Sequence, residues 1–142
     1  MSSLFKSIIV AITLFCSVSA SAEQMQTLGD WDVHYIAFPS TFLTADVASA
    51  YDLQRSKYLG LLNISVLDNV SQQAQRVIVT ATARNLLGNI RELAVREIRE
   101  DNAIYYIAEV PHRNEETYRF SITVQSGNNS QELKFQHAFY VD

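Results

Sequence analysis

The chain has 142 residues, of which 48% are hydrophobic and 18% are charged, and its formal net charge is −4. This length predicts one domain, and the mild acidity argues against a nucleic-acid partner, because such a partner requires a basic surface. Cys16 is the only cysteine, so the sequence offers neither an intramolecular disulfide nor a zinc site of several thiolates.

The first 22 residues have the features of a secretory signal peptide. Lys6 supplies a positive charge, the apolar run IIVAITLFCSV is too short to cross a bilayer, and Ala20-Ser21-Ala22 has the pattern of a signal peptidase site. We expect cleavage after Ala22, with a retained membrane anchor as the alternative. Removing 22 of the 142 residues leaves 120 and, because Lys6 is lost, changes the formal charge from −4 to −5. No later segment is long and apolar enough to span a membrane.

Residues 23–142 contain segments of strand length separated by turn-forming residues. In TYRFSITVQ, for example, every second residue from Tyr118 to Val124 is apolar, which predicts one buried and one wet face. The pattern predicts an all-β fold, an immunoglobulin-like or fibronectin-type antiparallel sandwich of about seven strands. The predicted strands are 30–38, 56–67, 74–85, 90–99, 103–110, 117–125 and 131–141.

Four local features refine this prediction. In TADVASAY, Thr44 is a suitable N-cap, so one short helix is predicted over 45–51, after the first strand. RELAVREIRE, in 90–99, fits helical spacing as well as strand alternation, and we predict a strand because its neighbours are strands. Gly60, inside a strand, indicates a bulge or a close approach of the backbone. Tyr118 is either a core residue or a tyrosine whose hydroxyl binds a neighbouring backbone group.

Two histidines are candidates for a metal site. His34 and His137 each lie on an apolar row, one on the first predicted strand and one on the last. Because these strands can lie side by side in immunoglobulin-like folds, the two imidazoles are a candidate Cu or Zn site. The other interpretation is two separate histidines that are hydrogen-bonded in or near the core. No cofactor is expected.

The turn HRNEE, residues 112–116, combines a histidine with two carboxylates. Such a turn can act as a general base or surface metal site, but it is also the ordinary composition of a solvated hairpin loop. Because no nucleophile–base pair, phosphate loop or metal motif accompanies it, we expect the protein not to be an enzyme.

Aromatic side chains supply candidates for a partner-binding surface, since such residues are enriched at interfaces. Tyr105 and Tyr106 are adjacent on one predicted strand, so they must point to opposite faces. Ordinary packing inside the sandwich is the alternative role for all of these aromatics. The partner-binding candidates are Trp31, Phe42, Tyr105 and Tyr106.

Three segments, GDWDVHYIAFPSTFLT, YLGLLNISVLD and AIYYIAEVP followed by YRFSITV, resemble a family of small exported proteins of Gram-negative bacteria known only as a domain of unknown function. The resemblance covers nearly all of residues 23–142. It implies a periplasmic location and a compact β-sandwich, and it assigns no catalytic residue. We therefore predict a periplasmic accessory module that binds another periplasmic or envelope protein. Metal or small-ligand binding through His34 and His137 is the alternative.

Overall fold

Nine strands in two antiparallel sheets make up the computed structural model, which describes residues 23–141. The predicted signal peptide and its cleavage site lie outside the described residues. In chain order the strands are β1 (Gln24–Leu28), β2 (Trp31–Pro39), β3 (Leu59–Asp68), β4 (Ile78–Asn85), β5 (Ile90–Leu93), β6 (Val95–Glu100), β7 (Ala103–Pro111), β8 (Glu116–Ser126) and β9 (Asn129–Phe139).

The strand order in the two sheets gives the topology of the sandwich. The first sheet has the order β1-β2-β3-β7-β6 and the second has the order β5-β4-β8-β9. Leaving β1 aside, this corresponds to the ABED and CFG sheets of immunoglobulin constant domains, with β5 added at one edge. The core lies between the sheets, where the predicted inward row of β8, from Tyr118 to Val124, is at most 3% exposed. The predicted all-β sandwich is therefore confirmed.

Two strands differ from the prediction. β1, with the polar sequence QMQTL, was not predicted; it pairs antiparallel with β2 after a turn at Gly29 and Asp30. The predicted strand 90–99 is two strands, β5 and β6, which are separated at Ala94 and belong to different sheets. β5 pairs with β4, whereas β6 pairs with β7. Leu93 is buried and Val95 packs against the same core, so the alternation continues while the chain crosses between the sheets.

A short helix follows β2, as predicted. Helix α1 (Ala45–Ala50) begins at Thr44, whose Oγ1 accepts a hydrogen bond from the backbone nitrogen of Val47 at 3.2 Å. The helix and the loop behind it pack Ala48 and Leu53 against Leu61, on the outer face of the first sheet. This second, smaller core covers part of that face.

The connection between β7 and β8 is held by Tyr118. Its ring is 3% exposed, and its hydroxyl donates a hydrogen bond to the carbonyl of Pro111 at 2.9 Å. Tyr118 therefore fills both roles considered from the sequence, as a core residue and as a cap on a neighbouring backbone group. Its place near the start of the sixth strand of the immunoglobulin order matches the tyrosine corner of those domains.

Gly60 is a point of close approach, as predicted. A Cβ atom at this position would overlap the ring of Phe139, which reaches across the interior from β9. Glycine is needed here for space, because the aromatic ring occupies the volume that a side chain would take.

Substitution Gly60→Ala is expected to lower the free energy of unfolding by about 1–3 kcal/mol, since the added methyl must displace a ring in a close-packed core. Urea denaturation measures this loss. The control is Phe139→Leu alone and combined with Gly60→Ala. The cost of Gly60→Ala should shrink in the double variant, and strict additivity of the two losses would show that the methyl does not meet the ring.

Candidate functional site

A surface cavity lies at one end of the sandwich, between the β4–β5 turn and the β7–β8 turn. Its volume is about 770 Å³, and it is lined by residues from 85–91 on one wall and 111–118 on the other. We call it the end cleft. Both walls are hairpin turns that project from the core, which is why a space remains between them.

A carboxylate joins the two walls of the end cleft. Glu116 accepts hydrogen bonds from the backbone nitrogen of Arg113 at 2.9 Å, from Asn85 Nδ2 at 3.2 Å and from the Tyr118 hydroxyl at 3.1 Å. Burial acts to raise the pKa of Glu116, but these hydrogen bonds and the charge of Arg113 outweigh it and hold the pKa below its ordinary value. Glu116 is therefore an ionised structural carboxylate that fixes the geometry of the cleft.

His112 is buried at the base of the same cleft, with 6% of its surface exposed. Its backbone nitrogen donates to the carbonyl of Tyr58 at 2.9 Å, and its Nδ1 lies 2.8 Å from the carbonyl of Arg113. Because a carbonyl only accepts, the proton must be on Nδ1. The ring stacks on Phe139 with centroids 4.7 Å apart, and Nε2 has no hydrogen-bond partner among residues 23–141. His112 is therefore not part of a solvated hairpin loop, because its side chain is buried.

His137 also packs against Phe139, edge to face, with centroids 4.6 Å apart. Burial lowers the pKa of His137 below its ordinary value of 6.5, and the nearby His112 lowers it further. At neutral pH its imidazole is therefore uncharged.

The structure does not bring His34 and His137 together. β2 and β9 belong to different sheets and do not pair, and their contact is made by Tyr35 and Phe135, with ring centroids 4.5 Å apart. His34 points the opposite way from Tyr35, onto the outer face of the first sheet, where its Nδ1 lies 3.2 Å from Glu23 Oε1. Within the described part of the chain, no three His, Cys, Asp or Glu side chains are grouped to hold a metal ion.

Two of the four partner-binding candidates are in the core. Trp31 is 5% exposed and Tyr106 is 4% exposed. The Tyr106 hydroxyl donates to the carbonyl of Gln75 at 3.0 Å and accepts from the backbone nitrogen of Val77 at 2.8 Å. The prediction that Trp31 and Tyr106 bind a partner is therefore wrong, because both side chains are buried in the core. Phe42 is 66% exposed and Tyr105 lines a shallow cavity, so both remain accessible.

The sequence reasoning missed an exposed apolar group on the β4–β5 turn. Leu86, Leu87 and Ile90 are 69%, 85% and 66% exposed, and we call them the aliphatic tip. The turn is ordered, because Asn85 Oδ1 accepts from the backbone nitrogens of Leu87 and Asn89 at 3.1 and 2.9 Å. The motif NLLGN contained the signal, since two leucines inside a tight turn have no core to enter.

The end cleft is lined by charged side chains of both signs. Arg91 and Arg113 form no ion pair within 4.0 Å in the described chain. Glu115, which is exposed, and Glu116 also line the cleft, so it presents cationic and anionic groups beside the aliphatic tip.

The second cavity is a trough of about 200 Å³ on the outer face of the first sheet, which we call the sheet trough. His34 Nε2 and Asn63 Oδ1 are buried there without hydrogen-bond partners in the described chain. The trough is lined by Glu23, His34, Ile36, Asn63, Ser65, Leu67 and Tyr105. Between residues 23 and 141, no helix is long and apolar enough to cross a membrane.

Comparison with known proteins supports the resemblance seen in the sequence. The family model of the Domain of unknown function (DUF4426) matches residues 25–142. The chain belongs to the DUF4426 family. The crystal structure of a DUF4426 protein, PA0388 from Pseudomonas aeruginosa PAO1, is 37% identical, with a TM-score of 0.74 over 84% of this chain and 96% of that one. No curated protein matches.

Two structures of FetP from uropathogenic Escherichia coli strain F11 share the fold with this DUF4426 protein. One is a copper-bound variant and the other is the protein as isolated after expression in the periplasm. Both are 10% identical to this chain, with TM-scores of 0.57 for the copper-bound variant and 0.53 for the protein as isolated. Each match covers 84% of this chain, together with 95% of the first FetP chain and 93% of the second. At this sequence identity, the comparison supports a common sandwich fold and carries no information about a shared site.

The lowered pKa of His137 predicts a loss of stability in acid. Neutral His137 contributes stability that is complete above pH 6.5 and is lost as the pH falls through the lower pKa of the folded state. We expect the free energy of unfolding to fall less steeply below pH 6.5 in His137→Gln than in the wild type. Urea titrations at several pH values measure both slopes, and parallel curves would contradict the assignment.

Proposed function

We propose that this protein is an exported, non-catalytic accessory module that binds another envelope protein at the end cleft and aliphatic tip. The observation that carries the proposal is the exposure of Leu86 and Leu87 on one ordered turn and of Ile90 at the start of β5. Export is supported by the features of residues 1–22.

The aliphatic tip has the properties of a contact surface. Large apolar side chains left in water forgo about 1.5–3 kcal/mol each relative to full burial, and grouped exposed apolar residues mark interaction sites. The turn itself does not require leucine, because its hydrogen bonds are made by Asn85 and by backbone groups.

The charge of the end cleft indicates which partner fits. Arg91, Arg113 and the exposed carboxylate of Glu115 all line the cleft beside the aliphatic tip. The complementary surface is a protein segment with apolar side chains flanked by charged groups of both signs. Opposite charges would steer the encounter and orient the segment, while apolar burial would supply most of the affinity.

Replacing the leucines of the tip tests the proposal. The test is capture of the partner from periplasmic extract of the native bacterium after mild cross-linking. The double variant Leu86→Ser/Leu87→Ser should retain at least about tenfold less of the partner than the wild type, because two buried leucines are lost from the contact. The same loss should appear when binding is measured with the purified partner.

A matched control is available at the opposite end of the sandwich. Val70 is 88% exposed and follows β3 at the end near Asp30. Val70→Ser removes an exposed apolar side chain far from the cleft and should leave capture unchanged. Equal capture by all three proteins, or no specific partner of the wild type, would refute the proposed function.

A second candidate function is supported by the sheet trough. There, His34 Nδ1 donates its proton to the Glu23 carboxylate, so Nε2 presents a lone pair. Carboxylates orient metal-binding histidines in the same way. Asn63 Oδ1 is a second acceptor without a partner in the described chain. Buried acceptors left unpaired are costly, and a bound cation or a small hydrogen-bond donor would satisfy both.

Calorimetric titration with Zn²⁺ and with Cu²⁺ tests the trough. We expect binding to the wild type, loss of binding in His34→Gln, and no change in His137→Gln, because His137 lies in the interior beside Phe139. Loss in His137→Gln alone, or no heat with the wild type, would eliminate this candidate.

A further inference from the structure

The last strand of the second sheet has an open edge. β9 is the longest edge strand, with 11 residues, and it pairs only with β8 in the order β5-β4-β8-β9. Its other side therefore presents backbone N–H and C=O groups to which no strand of the described chain is paired. Such an edge is a template for a further strand.

Natural proteins block open edges with proline, bulges, very short strands or charged side chains, lysine above all. β9 has no proline or bulge and is not short, and its two charged side chains, Glu132 and Lys134, are opposite in sign. Its register with β8 runs without interruption from Glu116–Phe139 to Ser126–Asn129, and its sequence NSQELKFQHAF contains no proline. The β1–β2 turn approaches β9 through Gly29 and the side chain of Gln131. That side chain belongs to the inward row, and although both β1 and β2 approach β9, neither forms a ladder with it.

The outward row of β9 is polar and carries two opposite charges. Glu132 and Lys134 are 54% and 71% exposed and point the same way, and within one chain Lys134 Nζ lies 3.7 Å from Glu132 Oε1. In a dimer, each would exchange this exposed partner for the opposite charge of the other copy. Ser130 and Gln136, on either side of them, are also exposed. This short sequence is complementary to itself when it is read in the opposite direction.

One antiparallel register brings the charges of two β9 strands together. With the two-fold axis at Leu133, Glu132 of one copy faces Lys134 of the other, and Ser130 faces Gln136. With the axis at Glu132 or at Lys134, like charges face each other, which is destabilising. If the register of the two β9 strands shifts by one residue, the exposed face of one copy's sheet continues into the inward face of the other copy's sheet. Such a register would expose core residues.

We propose that β9 pairs with β9 of a second copy of this chain, antiparallel about Leu133, and that this pairing forms a two-fold dimer. Residues 129–137 of each copy are paired, and the two four-stranded sheets become one continuous sheet. Backbone hydrogen bonds supply affinity, while the two Glu132–Lys134 pairs set the register. An isologous contact of this kind is the commonest form of homodimer.

This surface is separate from the one in the proposed function. The aliphatic tip and Arg91 lie on the β4–β5 turn and the first two residues of β5, at the other edge of the same sheet. Loss of the dimer therefore leaves the tip intact, and the tip variants leave the β9 edge intact, so either proposal can fail without the other.

Charge reversal and charge exchange test the dimer. Sedimentation velocity of the chain from Glu23 onwards should show a monomer–dimer equilibrium. Glu132→Lys places lysines opposite each other twice, so we expect a roughly tenfold higher dissociation constant. The double variant Glu132→Lys/Lys134→Glu restores two opposite-charge pairs and should return the constant to that of the wild type. Glu92→Lys on β5 is the control and should change nothing.

Cysteine cross-linking tests the register without reference to affinity. Residues 23–142 contain no cysteine, so Ser130→Cys and Gln136→Cys introduce single thiols at exposed positions. A short thiol cross-linker should join the two variants when they are mixed and should not join either variant to itself. A wild type that is monomeric at every concentration, or a charge exchange that restores nothing, would overturn the proposal, as would a failure of the mixed cross-link.

Discussion

The ring of Phe139 joins the two sheets at the end of the sandwich that carries the cleft. It fills the space above Gly60 in β3 and stacks on His112, which follows β7. It also makes edge-to-face contacts with the rings of His137 and Tyr118. β3 and β7 belong to the first sheet and β9 to the second, so one side chain sets the distance between them. Interiors packed this closely transmit such a constraint to their neighbours.

The geometry of the end cleft follows from this contact. Because the ring holds His112 in the interior, the β7–β8 turn begins from a fixed point, and Tyr118 ties its two arms together through the carbonyl of Pro111. Glu116 then links that turn to Asn85 on the β4–β5 turn. The exposed leucines are therefore presented by a rigid support, which lowers the entropic cost of binding a partner.

Much of the fold was predictable because period-two alternation reports which face of a strand is buried. TYRFSITVQ predicted the inward row of β8, Thr44 predicted the start of α1, and Gly60 predicted a close approach. β1 was missed because QMQTL has no apolar alternation, and its position depends on backbone pairing with β2. The sheet change after Leu93 was hidden because alternation is the same whichever sheet a strand joins.

The candidate site was less predictable, since β2 and β7 carry apolar or aromatic residues on both rows, and alternation then does not say which row faces the core. Trp31 and Tyr106 are on inward rows and His34 is on an outward row, so the partner and metal candidates were divided between the two faces. The cleft depends on two turns that are far apart in sequence. Only tertiary packing brings Asn85 to Glu116.

The path of the chain between the sheets has a consequence for how the domain unfolds. The chain passes from one sheet to the other after β3, after β5 and after β7. Neither sheet is a continuous stretch of sequence, and without cysteine in residues 23–142 no covalent link holds a partial structure together. Removing any one hairpin would leave a strand of its own sheet unpaired on one side and would uncover part of the inward face of the other sheet. The domain is therefore expected to behave as one cooperative unit, in which the cleft exists only when the whole sandwich is intact.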